Sequence, residues 1–390
     1  MSDIVNHYDV TVVMPCLNEA ETLASCIRKA QIGIEEAGVK GEIVISDNGS
    51  LDGSIDIARS FGARVIQVAK KGYGSALQGG IAAARGRWIV MGDADDSYDF
   101  RELPKFVEKL RQGFALVQGC RLPWGGGKVM PGAMPLLHRW LGNPMFSLMA
   151  AWWFKAPVHD IYCGLRAFTR ELYDRLDQRC TGMEFATEMI VKASLYGAKI
   201  AEVPITLHRD GRKSNAPHLK TFRDGWRTLR FFLMLSPRWL FLVPGGILVL
   251  LGLVGYALAL PGLTVWGATL DAHTLLFATL SIMCGYQSIL FALFTKVFAI
   301  SEGLLPKDKR LTRLFEIVTL ENALVVAVGA LVTGLLLLLV SVYVWKSKGF
   351  GPLDYRQTMR IVIPGSMITA LGFQTILASF FMSILALSRK

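Results

Sequence analysis

Two carboxylates stand at i and i+2 in Gly92-Asp93-Ala94-Asp95-Asp96-Ser97, directly behind an apolar run at residues 88–91. Carboxylates on a turn at a strand's end can share a hard divalent cation such as Mg²⁺ or Mn²⁺, which takes one or two of them and fills its shell with phosphate oxygens and water. A solvated acidic turn would use the same residues. The cation site is favoured because two other polar segments also follow apolar runs: Pro15-Cys16-Leu17-Asn18-Glu19 and Asp47-Asn48-Gly49-Ser50-Leu51-Asp52-Gly53-Ser54. Asp47, first behind its run, is the ligand candidate of the second segment, with turn and N-cap chemistry as the competing use. Ahead of a helix-period stretch at 76–84 lies Lys70-Lys71-Gly72-Tyr73-Gly74-Ser75. Glycines before a helix N-terminus expose backbone N–H groups to an anion, and Lys71 adds charge; a plain turn and helix start fits equally. A dinucleotide-binding glycine loop would follow the first strand instead, where Pro15 to Glu19 stand.

Strand ends must deliver these groups. Residues 10–14, 42–46, 64–68, 88–91 and 115–119 are short runs rich in Val and Ile, separated by helix-period stretches such as 19–37 and 103–112. The alternation predicts a parallel, doubly wound sheet, whose ligands bind beyond the carboxyl ends of the strands. Pro15, Asn18 and Glu19 follow the first run, Asp47 and Asn48 the second, and Asp93, Asp95 and Asp96 the fourth.

The rest of the chain needs a different solvent. Of 390 residues, 52% are hydrophobic and 19% charged, too apolar for an ordinary soluble protein and incompatible with disorder. Four uncharged runs, 239–260, 274–295, 324–345 and 361–387, are each long enough for a helix to cross a ~30 Å hydrocarbon core. Pro244 and Pro364 fall near the starts of their runs, where a helix tolerates proline. Basic residues outnumber acidic ones by 42 to 31, and the excess of the first 238 residues sits at 209–238, beside the first run. The loop 261–273 has no Lys or Arg, whereas the second connection carries Lys307, Lys309, Arg310 and Arg313, so the positive-inside rule places the N-terminal half in the cytoplasm. A third loop with Lys346, Lys348, Arg356 and Arg360 runs against that rule; an even span count with both termini cytoplasmic is the expectation. Residues 141–154 are uncharged but too short to span, and residues 222, 226, 229 and 233 share a helical face beside Arg223, Arg227 and Arg230. Both segments suit the membrane surface, and packing against the soluble part would also explain them. Six cysteines without a CxxC pair argue against a disulfide framework or zinc site and for a reducing compartment. The first nine residues have no basic n-region or apolar h-region, so no signal peptide is expected.

Pro15 to Glu19, Asp47 to Gly53, Gly72-Tyr73-Gly74, the stretch 84–95 ending in Asp93-Ala94-Asp95, Cys163-Gly164-Leu165-Arg166 and Glu202-Val203-Pro204-Ile205 occur in the order found in family-2 glycosyltransferases. Within that family, residues 8–235 resemble the polyprenyl-phosphate glycosyltransferases of the dolichol-phosphate mannose synthase group. The resemblance implies an α/β GT-A domain, Rossmann-like and nucleotide-sugar-binding, followed here by an all-α transmembrane domain of four helices. It implies that Pro15, Asn18, Glu19, Asp47, Lys71, Gly74, Asp93 and Ala94 bind the nucleotide sugar, that Asp93 and Asp95 hold Mg²⁺ or Mn²⁺, and that Asp95, Asp96 and Arg121 serve catalysis. Acceptor-phosphate binding falls to Arg121, Arg139, Arg209, Arg212, Lys213 and Ser214, since a planar guanidinium suits phosphate oxygens; a solvated or membrane-surface charge is the alternative for each arginine. Two positions depart from the family: Asn48 replaces the second Asp of a usual pair, and Ser97 stands where mannose synthases often have Gln.

The expected plan is a glycosyltransferase domain at 1–220, an amphipathic juxtamembrane helix at 221–238 and a transmembrane domain at 239–390 with spans near 239–260, 274–300, 318–345 and 361–387. The expected activity is inverting, metal-dependent transfer of one sugar from a UDP- or GDP-sugar to a polyprenyl phosphate, undecaprenyl or dolichyl, at the cytoplasmic face. That acceptor is already ionised, so a strong general base is not required; Asp96 and Glu188 are the base candidates if one acts. Processive synthases and glycolipid glycosyltransferases share the donor motifs but usually carry QxxRW, and Arg139-Trp140 and Arg238-Trp239 lack the Gln. A non-catalytic membrane module is the other alternative. Membrane lipids and a homo-oligomer through the transmembrane helices are the expected further partners, with no nucleic acid.

Overall fold

The computed structural model describes residues 8–212, 221–265, 267–306 and 308–386. The chain divides into two compact units, Met1–Phe232 and Leu233–Lys390.

In the first unit the Val/Ile runs form β1 (Tyr8–Cys16), β2 (Gly41–Asp47), β3 (Arg64–Gln67), β4 (Gly86–Met91) and β5 (Leu116–Cys120). Between them lie α1 (Leu23–Glu36), α2 (Ser54–Ser60), α3 (Tyr73–Ala83) and α4 (Leu103–Arg111). After β5 come β6 (Lys128–Val129), α5 (Asn143–Phe154), β7 (Arg166–Thr169), α6 (Arg170–Leu176), α7 (Glu184–Leu195), β8 (Ile200–Pro204) and β9 (Thr206–Leu207). The main sheet runs β3-β2-β1-β4-β7-β5-β8. Because β2, β1 and β4 are neighbours and parallel, the segments behind them emerge side by side at one sheet edge.

The sheet is mixed, not all-parallel as expected: β7 lies antiparallel to both β4 and β5. Its first residue, Arg166, pairs with Met91 and Gln118 near the carboxyl ends of those strands. A chain that re-enters the sheet from that end must run against its neighbours. Four residues, three of them buried, show no alternation by which to recognise the strand beforehand.

Val10, Val12 and Met14 of β1 are buried with Leu23, Ile27 and Ala30, which recur at i, i+4 and i+7 along α1, and with Phe100 and Phe106. Full burial of each of these side chains contributes about 1.5–3 kcal/mol for the larger aliphatic and aromatic ones. One face of α5 packs inward through Phe146, Ala150 and Phe154; its other face leaves Met145, Leu148 and Trp152 exposed. Phe232 of α8 (Thr221–Leu235) is ringed by Phe146, Trp153 and Phe154, while Trp226 on the same helix stays exposed. Both expected surface segments therefore pack on the first unit with one face and present apolar side chains on another.

Among the described residues of the second unit, four helical segments are long and apolar enough to cross a membrane: Arg238–Ala259, Ala272–Ser301, Leu320–Ser347 and Tyr355–Leu385. They are built from α9 (Val243–Ala259), α10 (Ala272–Ser301), α12 (Leu320–Ser347) and α13 (Tyr355–Ala386), with the short α11 (Lys309–Ile317) between the second and third. Gly245 and Gly285 bring α9 and α10 into backbone contact, since a Cβ on either would lie 2.6–2.8 Å from the other's carbonyl oxygen. Tyr286 and Thr375 share a 2.6 Å hydrogen bond between α10 and α13. Pro364 lies inside α13 rather than near its start, because the polar stretch from Tyr355 is helical too; the carbonyl of Arg360 loses its helical partner there. Asp271 pairs with Arg356 at 2.5 Å and lies 3.7 Å from Arg360, so the first and third loops meet at one end of this unit. Lys296 pairs with Asp308.

Candidate active site

The three polar segments expected to converge do so, and hydrogen bonds lace them together. Asn18, in a left-handed conformation with φ 58°, accepts from the Leu51 N–H, and the Ser54 hydroxyl accepts from the Glu19 N–H. The Thr22 hydroxyl, at the start of α1, donates to the Ala94 carbonyl at 2.7 Å and so fixes the Asp93–Asp95 turn against β1's loop. Asp47 is buried, and its carboxylate accepts from the Gly49 and Ser50 N–H groups, the turn chemistry that competed with a ligand role. Asn48 explains the departure from a paired Asp. Its amide donates to the Val68 and Lys70 carbonyls while its oxygen accepts from the Gly72 N–H. A carboxylate could not make the two donations.

At the centre, Asp93 Oδ1 accepts from the Tyr73 hydroxyl at 2.9 Å, and Asp95 Oδ1 accepts from the Ser97 hydroxyl at 2.6 Å and its N–H at 3.0 Å. Burial, and then the charge of Asp95, push Asp93 up to about 7, against the Tyr73 hydrogen bond and the charges of Arg121 and Arg166. Each carboxylate thus has one oxygen held by a hydroxyl donor, and the two repel each other. That donor set fits a divalent cation, which needs one or two carboxylates beside phosphate oxygens and would relieve the repulsion. Gly164 is required at its place, since a Cβ would lie 2.8 Å from Asp93 Oδ2. Burial likewise raises Glu19 to about 7; the Arg212 guanidinium opposes this, and Asp95 and Asp210 add to it.

The glycines at the start of α3 serve close packing. A Cβ on Gly72 would meet the Thr181 carbonyl oxygen at 2.4 Å, and one on Gly74 the Cys180 oxygen at 2.7 Å. The Ser75 N–H donates to the Thr181 carbonyl, and Lys71 Nζ reaches the Asn48 carbonyl. Protein groups therefore take up donors that the anion-cradle reading had reserved for phosphate. Glu188 anchors this same wall: it accepts from the Arg179 and Cys180 N–H groups and pairs with Lys192 at 2.8 Å, a structural use for that base candidate.

Other expected residues are occupied elsewhere. The Asp96 carboxylate turns onto α1, pairing with Lys29 at 2.8 Å and accepting from Ser25, because its left-handed backbone (φ 61°) reverses the chain after Asp95. Arg121 is buried, with Nε and Nη2 on the two oxygens of fully buried Asp160 at 2.7 and 2.8 Å. Burial works against its charge, and Asp160 more than offsets that, holding the guanidinium well above its ordinary value. Arg212, expected on the acceptor side, lies on donor-site carboxylates: 3.1 Å from Glu19, 2.5 Å from Asp210 and 3.8 Å from Asp95. Arg209 donates to the Pro131 carbonyl, and Arg139 lies 5.3 Å over the Trp140 ring with its Nε buried and without a hydrogen-bond partner. Lys213 and Ser214 lie outside the described residues. Pro15 pairs with Ser46 in the β1–β2 register.

Tyr73, Tyr98 and Asp160 were missed. Tyr98 accepts from the Gly164 N–H and lies 3.4 Å from Arg121, linking the Arg121–Asp160 pair to the wall behind Asp93. Tyr73 sits inside the Gly-Tyr-Gly motif, and Asp160 three residues before Cys163, but neither position announces a partner so far away in sequence.

Comparison with known proteins bears on the whole chain. The glycosyl transferase family 2 model matches residues 11–177, and the glycosyltransferase family 2 C-terminal transmembrane region model matches residues 293–386. The chain is 36% identical over 383 residues to a low-salt glycan biosynthesis hexosyltransferase of Haloferax volcanii, covering 96% of this chain and 89% of that one. It is 36% identical over 198 residues to a dolichyl-phosphate hexose transferase of the same organism, covering 50% of this chain and 82% of that one. Among solved structures it is similar to glucosyl-3-phosphoglycerate synthase from Mycobacterium tuberculosis, with 20% identity, a TM-score of 0.46, and coverage of 59% and 79%. With 36% identity to a hexosyltransferase over nearly its full length and both family models in place, the chain belongs to glycosyltransferase family 2, as an enzyme with a GT-A domain and a helical transmembrane region.

Proposed function

We propose that this glycosyltransferase moves one monosaccharide from a nucleotide sugar to a polyprenyl phosphate at the cytoplasmic membrane face, with inversion and with a divalent cation. The observation that carries the reading is the Asp93–Asp95 pair, half-buried at a strand end beside Glu19, on a chain whose described residues also hold four apolar helices. Similarity to a dolichyl-phosphate hexose transferase supports the lipid acceptor.

When bound, the cation supplies charge neutralisation for the leaving nucleoside diphosphate. Asp93 and Asp95 would hold it, each oriented by its hydroxyl donor. Glu19 would accept from a hydroxyl of the donor nucleoside. An acceptor phosphate oxygen forms the new bond to the anomeric carbon as the bond to the diphosphate breaks, and no proton has to be removed. The engagement of Asp96 by Lys29 and of Glu188 by Lys192 agrees with a reaction that uses neither as base. On the acceptor side Arg139 is the best placed of the expected arginines, because its Nε is unsatisfied and exposed Leu136, Leu137 and Trp140 border it. The exposed faces of α5 and α8 would seat on the membrane surface.

The test is product analysis. Detergent-purified protein is incubated with undecaprenyl or dolichyl phosphate and a panel of labelled UDP- and GDP-sugars, with Mg²⁺, Mn²⁺ or EDTA. One labelled monosaccharide-phosphate lipid, absent with EDTA and in Asp95→Ala, is expected. Nucleotide-sugar binding without any lipid product would refute the acceptor assignment.

A further inference from the structure

The side chain of Arg212 is only 7% exposed, and its guanidinium is shared by three carboxylates. Asp210 takes its Nε and Nη2 edge at 2.9 and 2.5 Å, Glu19 takes Nη1 at 3.1 Å, and Nη2 faces Asp95 Oδ2 at 3.8 Å. Asp95 Oδ1 is already held by Ser97, so Oδ2 is the oxygen left for a cation, and that is the one Arg212 faces. The approach is built in by the preceding residue. The Gly211 N–H donates to the Asp95 carbonyl at 2.8 Å, and a Cβ at 211 would lie 2.9 Å from Thr22 Cγ2 and 3.3 Å from Asp96 Cβ. Only glycine lets the chain pass there and deliver Arg212.

We infer that Arg212 is an internal cation standing on the carboxylate site, which exchanges with the incoming divalent cation and nucleoside diphosphate; this rests on the metal–nucleotide reading of the site above. The guanidinium beside Asp95 opposes a free dication by like-charge repulsion. A cation arriving with a diphosphate meets a different balance. The diphosphate gives Arg212 a new anionic partner, so the guanidinium leaves Asp95 and Glu19 without losing its charge compensation. Asp210, two residues away on the same segment, keeps the Nε–Nη2 edge, so Nη1 is the group that turns to a phosphate oxygen. Glu19, released, becomes the acceptor for a nucleoside hydroxyl. Metal and nucleotide binding are thereby coupled, each favouring the other.

The experiment measures Mn²⁺ binding to the full-length protein by electron paramagnetic resonance, with and without UDP or GDP. Wild type should bind Mn²⁺ weakly alone and more tightly with nucleotide. Arg212→Gln should bind Mn²⁺ alone about ten- to a hundredfold more tightly, and nucleotide should then add correspondingly less. Arg212→Lys, which keeps a point charge without the fork, should fall between them and serves if the Gln variant does not fold, as judged by its melting profile. Unchanged or weaker Mn²⁺ binding in the folded variants overturns the exchange. Asp95→Asn separates this from the underlying reading: if it abolishes Mn²⁺ binding while Arg212→Gln changes nothing, only the exchange fails. If Mn²⁺ binding survives Asp95→Asn, or is absent from every variant, the metal assignment fails and the exchange with it.

Discussion

Tyr73→Phe removes one oxygen from the site and should move the acid limb of the pH–rate profile. The hydroxyl donates at 2.9 Å to Asp93 Oδ1, and it opposes the burial and the Asp95 charge that push Asp93 up to about 7. The ring would remain, filling the same volume. A hydrogen bond to a charged group contributes about 1.5–3 kcal/mol, and about 1.4 kcal/mol corresponds to one pH unit in an ionisation midpoint. The midpoint for Asp93 should therefore rise by about one to two pH units. The sign follows from which form binds the cation. The protonated carboxyl, dominant below the midpoint, does not, so transfer at subsaturating Mn²⁺ falls as pH drops through about 7 in wild type. In Tyr73→Phe the fall should begin about one to two pH units higher. Raising Mn²⁺ should pull both midpoints down, because the cation binds only the ionised form. Initial rates between about pH 5.5 and 9.5, a range that brackets both limbs, with a melting profile for each protein, are sufficient. An acid limb superimposable on wild type in a normally folded Tyr73→Phe protein would refute the reasoning.

Glu19→Gln should separate stability from function. Burial raises the folded-state value of Glu19 from 4.5 to about 7, so its contribution to stability is fully present below about 4.5 and is lost as pH rises through about 7. The Gln variant should therefore gain melting temperature relative to wild type as pH is taken from 5 toward 8, while binding nucleotide more weakly; calorimetry and a nucleotide titration check the two halves. Gly74→Ala should cost about 1–3 kcal/mol and most of the activity, because its Cβ would lie 2.7 Å from the Cys180 oxygen and 2.8 Å from the Thr181 carbonyl carbon; a melting profile reads the first and transfer rate the second. Asn48→Asp, which restores the family's paired acids, should destabilise by about 1–3 kcal/mol by leaving the Val68 and Lys70 carbonyls without donors. A neutral effect on melting would show that the lacing of β2 to the loop before α3 is dispensable.

The strand-end logic was legible because parallel neighbours put their carboxyl ends together, so any polar residues placed just behind β1, β2 and β4 must meet. What each residue does on arrival was not legible in the same way. Asp95 and Asp96 are adjacent and chemically identical, yet one faces Arg212 across the site and the other is spent on Lys29, because a left-handed backbone at Asp96 turns its side chain onto α1. Arg212 was read as an acceptor-side charge from its place in the family's basic loop, but a guanidinium goes where burial can be compensated, and three carboxylates collected from segments far apart in the chain provide that place. Asp160 was invisible for the same reason. Its partner Arg121 is 39 residues away, and nothing local marks a residue whose role is to neutralise a buried charge.

In the transmembrane half, some of the counted charges have acidic partners within the unit. The third loop carries Lys346, Lys348, Arg356 and Arg360 and seemed by number to compete with the basic second connection. Asp271, just before α10, takes Arg356 at 2.5 Å and lies 3.7 Å from Arg360, and Gly262 of the first loop leaves room for the Arg360 guanidinium. Two of the four charges thus lie against an acid on the loop that has no Lys or Arg of its own. The contact also fixes the first and third loops at the same end of the unit, which four consecutive spans require. Asp271→Asn should loosen that end by weakening its hold on Arg356 and Arg360. Hydrogen exchange at the start of α10 and of α13 should rise together in the variant, and a rise at only one of them would show that the pair does not join the two hairpins.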